Sequence, residues 1–260
     1  MGFFSSLFNK EERHQRAFAK NLRKTLNKNS QPDERQAAMH YLRNDGSPEA
    51  IYGLLKRFTI TTQGKGGAVV DEEEKEWLTR VILQFDRDAL PRLKKFIFSK
   101  EGPSVNPVHS ISQALQLIKQ IVNEDKDYIY ELFKELIKDN PPGYERDPIR
   151  KEEILNFLND WDDPRMAKLI APYLEDMNET IRFLTVDCLF NSNDEETCRE
   201  ELLKLFLPEK DESLRIKNRI IQGFAENEWS IKGYRSYMEP NLPSDEYRII
   251  RGDTIQKLDN

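Results

Sequence analysis

The sequence predicts an all-α fold in which about six helical hairpins stack into an α-α superhelix that ends in a small C-terminal β-hairpin. A recurring pattern is the first observation: a turn rich in Asp and Asn opens an amphipathic helix, and a second helix follows with Arg near its start. The clearest copy is Asp162 to Asp194. The second observation is a period of roughly thirty to forty residues, which is typical of helical-hairpin repeats. The third is a charged fraction of 33%, above that of an average globular domain, which suits the large surface of a repeat array.

Apolar periodicity and capping residues place the helices in order. Residues 10–28 read as a basic amphipathic helix, and Ser47-Pro48 provides a cap and a first-turn proline for the next helix but one. The glycine-rich segment 60–67 reads as a flexible loop, and a helix with three carboxylates in its first turn is expected to begin at Asp71. Further helices are predicted over 33–44, 90–98, 111–122, 127–138 and 148–158, with two more pairs between 162 and 226.

The C-terminus departs from the helical pattern. Tyr247 and Ile249 alternate with polar residues, and Gly252-Asp253 is a turn signal, so this segment predicts a β-hairpin. The expected organisation is a basic N-terminal cap (1–30), a repeat region (31–240) and a hairpin cap (241–260). An ordinary compact helical domain remains the alternative, because helix pairs alone do not prove superhelical stacking.

The repeated doublets resemble HEAT repeats of the bacterial kind called phycocyanobilin-lyase-like HEAT repeats. The resemblance rests on DDPRMAKLIAPYLED with NETIRFLTVDCL, on SPEAIYGLL and on ESLRIKNRIIQGF, where Ile181-Arg182 and Leu214-Arg215 match the family pattern. It covers most of residues 33–230, and the doublet that contains Ile149-Arg150 fits poorly. The whole chain also looks like bacterial HEAT-repeat proteins without an assigned function. The resemblance implies an α-solenoid and a binding surface rather than an activity.

Composition and net charge indicate the cellular compartment and exclude some classes of partner. A net charge of −6 argues against a general nucleic-acid binder, because duplex affinity comes largely from cations that neutralise phosphates. Cys188 and Cys198 are the only cysteines, which does not make a disulfide framework and favours a reduced, cytoplasmic location. No apolar run approaches the roughly 20 residues of a membrane-spanning helix, and the first eight residues lack the features of a signal peptide.

The sequence offers no catalytic, metal or cofactor site. Diiron hydroxylases on a HEAT-like fold use His-Glu dipeptides as ligands, whereas His14, His40 and His109 are not followed by Glu. The segment Gly64–Gly67 (GKGG) lacks the spacing of a phosphate-binding loop. We therefore predict a non-enzymatic scaffold that binds a protein or peptide partner without metal or cofactor. The alternative is a lyase or other enzyme subunit with a small-molecule pocket between helices.

A row of cations marks the expected partner site. The second helices of HEAT arrays line the concave face, so the resemblance implies that cations on successive second helices face a partner. These cations are Arg80, Lys119, Lys151, Arg182 and Arg215. In the alternative interpretation, each of them forms an ion pair with the acidic turn of the neighbouring repeat.

The N-terminus is a second candidate docking element. Phe3, Phe4, Leu7 and Phe8 precede seven cations and two carboxylates, which give residues 1–30 a net charge of +5. Aromatic residues beside cations are typical of weak, salt-sensitive contact with an anionic membrane. Such docking would place the protein at the inner face of the membrane. The alternative is that this helix caps the first repeat.

Overall fold

The computed structural model describes residues 2–62, 67–99, 110–210 and 212–258, with side chains from residue 10 onward. These residues form thirteen α-helices and one two-stranded sheet, which confirms the predicted helical fold with a C-terminal β-hairpin. The chain divides into two compact units, Met1–Asp125 and Lys126–Asn260. The helices of the first unit are α1 (Gly2–Thr25), α2 (Pro32–Asp45), α3 (Pro48–Arg57), α4 (Gly67–Gln84), α5 (Leu90–Phe98) and α6 (Ser112–Ile121). Those of the second are α7 (Lys126–Asp139), α8 (Ile149–Asn159), α9 (Arg165–Ile170), α10 (Glu179–Asn191), α11 (Glu195–Lys204), α12 (Leu214–Glu226) and α13 (Arg235–Met238).

Helices alternate between two layers within each unit. In the first unit, α1, α3 and α5 pack side by side, and so do α2, α4 and α6. In the second unit, α7, α9 and α11 are neighbours, and α8, α10 and α12 are neighbours. We call these sets the first-helix layer and the second-helix layer of each unit. The apolar core lies between the two layers, because each amphipathic helix buries the stripe that faces the opposite layer.

Most predicted helix boundaries match the structure. Ser47 caps α3, since its hydroxyl accepts a hydrogen bond from Ala50 N at 3.2 Å. Asn178 caps α10 in the same way, accepting from Thr180 N at 2.8 Å. The first helix of the clearest doublet is shorter than expected, because α9 gives way to a 3₁₀ turn over Ala171–Glu175 that contains Pro172.

The predicted start of α4 is wrong. The helix begins at Gly67 rather than Asp71, so the carboxylates of the sequence DEEE lie beyond its first turn. Thr62 explains the early start, because its hydroxyl donates to Gly67 O at 2.9 Å while its backbone N–H donates to Asp71 Oδ1 at 3.3 Å. Two of these carboxylates consequently turn inward instead of facing solvent at the helix end. The predicted flexibility of 60–67 falls largely on residues 63–66, outside the described residues.

Those inward carboxylates belong to a buried arginine cluster, which consists of Arg35, Arg57, Asp71 and Glu74. Arg35 Nε donates to both oxygens of Glu74, at 2.9 and 2.8 Å. Arg57 Nη2 donates to Glu74 Oε2 and to Asp71 Oδ1, both at 2.6 Å. All four side chains are buried, and Arg57 is fully inaccessible to solvent. The cluster therefore joins α2, α3 and α4 through one carboxylate, Glu74.

Burial and pairing shift the pKa of the Asp71 carboxyl in opposite directions. Burial raises its pKa, but the hydrogen bonds from Lys75 and Arg57 outweigh burial and hold the pKa below its ordinary value. Asp71 therefore contributes stability that is present above the pKa of the unfolded chain and is lost as the pH falls through the lower folded pKa.

Hydrogen bonds between consecutive hairpins follow the period of the sequence. In the second unit, Tyr173 Oη donates to Asn140 O at 2.6 Å, across 33 residues. Burial, with smaller effects from Asp176 and Glu145, raises the pKa of this phenol and keeps it a donor. Arg219 Nε donates to Asp187 Oδ1 at 2.6 Å, across 32 residues. These two bonds join neighbouring hairpins at separations of 33 and 32 residues, within the period of roughly thirty to forty residues seen in the sequence.

Helix α1 is a continuous helix that packs against α2 and α3. Leu22 fits against Gly53, where a Cβ atom would stand 2.6 Å from Leu22 Cδ1. His14 Nε2 lies 3.1 Å from Asp45 Oδ2, and Lys24 Nζ lies 3.3 Å from Glu34 Oε1. The part of α1 that is described with side chains is thus docked on α2 and α3. No described helix is both long enough and apolar enough to cross a membrane.

The C-terminal hairpin joins β1 (Tyr247–Ile250) to β2 (Thr254–Lys257), with Tyr247 opposite Lys257. Gly252 adopts φ +100° in the turn, a conformation that suits glycine. Strand β2 packs on α12, and Ile231 N donates to Asp253 O at 2.7 Å. The hairpin therefore covers the last second-layer helix of the second unit.

We expect Glu74→Ala to lower the free energy of unfolding by about 3–5 kcal/mol, because it leaves two buried guanidinium groups without their shared carboxylate. Glu73→Ala is the matched control, since Glu73 is the preceding residue and is exposed, and it should change stability by about 0.5 kcal/mol or less. Urea unfolding followed by circular dichroism measures both. Equal effects of the two variants would contradict a stabilising role for the cluster.

Candidate functional site

Two loops of the second unit are joined through the carboxylate of Asp176. Its Oδ2 atom accepts from Gly143 N at 3.0 Å and from Lys151 Nζ at 2.8 Å. Lys151 also donates to Gly143 O at 2.9 Å. Both charged side chains are buried, at 3% and 1% exposure. The loop between α7 and α8 is thereby fixed beside the turn that precedes α10.

A second set of hydrogen bonds fixes the turn that precedes α10 beside the loop that precedes α12. Arg182 donates two hydrogen bonds of 2.9 Å to the two oxygens of Glu212, and a third of 2.9 Å to Asp176 O. The paired hydrogen bonds that Arg182 donates to Glu212 raise the pKa of Arg182. Ser213 Oγ donates to Glu179 Oε1 at 2.9 Å. The three loops therefore lie side by side at the N-terminal ends of α8, α10 and α12.

Large apolar side chains are exposed on these loops and at the helix starts that follow them. Tyr144 and Met177 lie on the loops and are 78% and 70% exposed, while Leu214 and Ile149 are the first residues of α12 and α8 and are 71% and 39% exposed. We call these four residues the apolar row. Single exposed apolar residues are ordinary on protein surfaces, but four of the seven large ones in the described part of the chain fall on these adjoining loops or on the first helical residue after them. Such clustering is typical of an interaction surface.

The structure corrects the predicted role of Lys151 and limits that of Arg182. Lys151 is buried against Asp176 and presents no charge to a partner. Arg182 is 19% exposed, and its guanidinium is held by Glu212 of the next loop. Both residues behave as in the alternative interpretation, in which a cation pairs with the acidic turn of a neighbouring repeat. Their charge holds hairpins together instead of forming a binding ladder.

The other three cations of the predicted ladder have more solvent access than Lys151 and Arg182. Arg80 is 64% exposed and lies 3.8 Å from Glu76 on its own helix. Lys119 Nζ lies 3.6 Å from Glu124. Arg215 is exposed and stacks on Phe183 with its guanidinium carbon 4.1 Å from the ring centroid. Arg80 and Lys119 lie in the first unit, so of these three cations Arg215 is the one beside the apolar row, directly after Leu214.

The side chains of Phe3, Phe4, Leu7 and Phe8 lie outside the described residues, although their backbone belongs to α1. Membrane docking by these residues therefore stays a prediction. The contacts of His14 with α2 and of Leu22 with α3 agree with the alternative, in which this helix is a cap.

Two clefts lie near the same loops. One of about 310 Å³ separates α9 and its 3₁₀ turn from α11, and one of about 240 Å³ lies between Asp176, Arg182 and Glu212. Glu175 and Lys210 line both clefts and form an ion pair with each other. Binding sites for small molecules are usually apolar cavities with few polar groups. The smaller cleft is lined by charged side chains, whereas the larger one combines the apolar residues Ala171, Pro172 and Leu174 with the ion pairs Glu175–Lys210 and Glu201–Lys204.

The residues that the sequence offers as nucleophiles or ligands serve structural roles in the described part of the chain. Burial raises the pKa of the Cys198 thiol to about 11 and raises that of Cys188 further, so both thiols are neutral near pH 7. Cys188 Sγ donates to Leu155 O at 3.0 Å. His40 packs edge-on against Trp77, and His109 lies outside the described residues. Within the described residues, no group of three or more His, Cys, Asp or Glu side chains is placed to hold a metal ion.

Comparison with protein-family models, curated proteins and solved structures finds no match to this chain. The site is interpreted from its geometry alone.

Sequence reasoning missed the apolar row. The sequence pattern indicates the opposite at Met177, which directly precedes the N-cap Asn178. The residue before an N-cap often packs on the helix as half of a hydrophobic staple, so an apolar residue there predicts burial. Only the structure shows that these side chains remain exposed.

We expect Lys151→Met to destabilise the second unit by about 3–5 kcal/mol, because it leaves the carboxylate of Asp176 buried without its cation. Arg80→Met removes an exposed cation of the same predicted ladder and should cost about 0.5 kcal/mol or less. Thermal unfolding of the two variants distinguishes a structural cation from a surface cation. A stability loss for Arg80→Met as large as that for Lys151→Met would contradict this assignment.

Proposed function

We propose that the chain is a non-enzymatic scaffold or adaptor whose hairpins form a HEAT-like solenoid, and that it binds a segment of a protein partner. Two features support the repeat architecture. Helices alternate between two layers in each unit, and hydrogen bonds such as that of Tyr173 to Asn140 link positions 33 residues apart. Repeat folds offer extended surfaces that accommodate protein segments.

The single observation that carries the proposal is the apolar row. Its residues lie on, or directly after, loops that ion pairs and hydrogen bonds fix against one another. A surface that is rigid before binding loses little conformational entropy when a partner docks. Protein interfaces rely on a few apolar or aromatic anchors surrounded by polar groups. Tyr144, Met177 and Leu214 provide such anchors, with Arg215 beside them as an exposed cation.

The net charge of the second unit indicates which charge the partner segment should carry. The second unit contains 20 Lys and Arg against 30 Asp and Glu, a net charge of −10. Two of its three ladder cations are already paired with carboxylates. An acidic partner, which the ladder would favour, therefore fits this unit poorly. A segment with apolar anchors flanked by Lys or Arg complements it better.

The two clefts are where a second candidate, an enzyme or lyase subunit, would bind a small molecule between helices. The larger cleft, at about 310 Å³, reaches only the lower end of the range for ligand pockets. Absorption spectroscopy and native mass spectrometry of the purified protein test this candidate. A stoichiometric bound chromophore or metabolite would favour it over the scaffold.

We expect the double substitution Met177→Asp with Leu214→Asp to weaken partner capture about 30-fold, because central interface anchors contribute about 2 kcal/mol or more. The wild-type protein and the variant are used as baits in a native lysate, bound proteins are identified by mass spectrometry, and the affinity of the captured partner is measured by titration.

The matched control is Val69→Asp with Tyr237→Asp. It changes two exposed apolar residues outside the row by the same charge, so capture should persist. Loss of capture in the control, or full capture by the row variant, would contradict docking at the apolar row.

A further inference from the structure

The two layers of the first unit carry opposite charge. The first-layer helices α1, α3 and α5 contain 11 Lys and Arg against 3 Glu, a net charge of +8. The second-layer helices α2, α4 and α6 contain 5 Lys and Arg against 8 Asp and Glu, a net charge of −3. Because Arg57 is buried, ten of the eleven first-layer cations lie outside the core. One side of this unit therefore presents a concentrated positive surface.

Helix α1 contributes a stripe of cations to this surface. Arg13, Arg16, Lys20 and Arg23 recur at intervals of three or four residues and are all exposed. This spacing places them on one side of the helix. The opposite side carries Leu22, which packs on Gly53 of α3. The stripe consequently points away from the packed interior.

Helices α3 and α5 add aromatic rings to the cations. Lys56 and Lys95 approach the ring of Tyr52 from the two helices, with their Nζ atoms 5.0 and 4.6 Å from its centroid. Lys94 lies 5.9 Å from the centroid of Phe98. Helix α5 contains no carboxylate. Lysines that rest on half-buried aromatic rings keep their ammonium groups at the surface while their apolar stems are shielded.

We propose that this basic first-helix face, formed by the outward cations of α1, α3 and α5 with Tyr52 and Phe98, docks on an anionic lipid surface. Three neighbouring helices present their cations over a broad layer, which suits an extended sheet of headgroups. Cations near an anionic leaflet are attracted within about one Debye length, and aromatic rings favour the interfacial region. The face is described without residues 2–9, so the proposal does not depend on Phe3, Phe4, Leu7 and Phe8. It also uses a different unit from the apolar row.

Binding to vesicles tests the proposal with the full-length chain. Co-sedimentation is measured with vesicles of phosphatidylcholine alone and of phosphatidylcholine mixed with phosphatidylglycerol. We expect binding only to the anionic vesicles, and release at about 1 M salt, where the Debye length is about 3 Å. Replacement of Lys56, Arg92 and Lys95 by Glu should weaken binding at least about 100-fold.

Three further variants make the result specific. Arg13→Glu with Arg16→Glu and Lys20→Glu tests the α1 stripe separately and should also weaken binding. Glu substitutions of Lys138, Lys232 and Lys257, which are exposed lysines of the second unit, change the net charge equally and should leave binding intact. Circular dichroism checks that each variant is folded. A chain without residues 2–9 should still bind anionic vesicles.

Three outcomes would overturn the proposal. The first is no binding to anionic vesicles, including the case in which the same cations retain only nucleic acid or an acidic protein. The second is equal loss of binding in the second-unit control. The third is binding that disappears only when residues 2–9 are removed, which would assign the contact to the N-terminal aromatic segment instead.

Discussion

The fold depends on buried carboxylates that neighbouring hairpins share. Glu74 accepts hydrogen bonds from Arg35 and Arg57, so one side chain of α4 ties down α2 and α3. Asp176 does the same in the second unit, where it binds Lys151 and the backbone of Gly143. A buried charge is tolerated only when it is paired and hydrogen-bonded. These pairs therefore restrict how adjacent hairpins can be arranged, because any other arrangement would leave a charge buried alone.

The same constraint determines which residues remain for binding. Lys151 and Arg182 look like free cations in the sequence, but in the structure each forms an ion pair with a carboxylate of a neighbouring loop. What the stacking leaves exposed is apolar, since Met177 and Leu214 lie beside the paired residues and point to solvent. In the first unit, by contrast, most first-layer cations stay outside the core. The proposed protein-binding row and the proposed lipid-binding face thus arise from different uses of charge in the two units.

The sequence predicts the features that local chemistry decides. Capping residues such as Ser47 and Asn178 mark helix starts, and Gly252-Asp253 marks the hairpin turn, because each acts on its own neighbours in the chain. It does not predict the buried arginine cluster, whose members pair across 14 to 39 residues. Whether an arginine faces solvent or a buried carboxylate depends on how hairpins pack, which the helical period alone does not specify. The exposure of Met177 depends on packing in the same way. HEAT-like stacking along the whole chain stays a prediction.

Hydrogen exchange in an Asp176→Asn variant tests most directly whether one shared carboxylate aligns the loops of the second unit. The substitution keeps the size of the side chain but removes the charge that holds Lys151 and weakens the acceptor for Gly143 N. Exchange is followed by mass spectrometry on peptides from both units. Our account predicts faster exchange in 141–151 and 176–182, the two segments joined at Asp176, with little change in 32–57 of the first unit. Faster exchange confined to residues next to 176, or spread equally over both units, would contradict it.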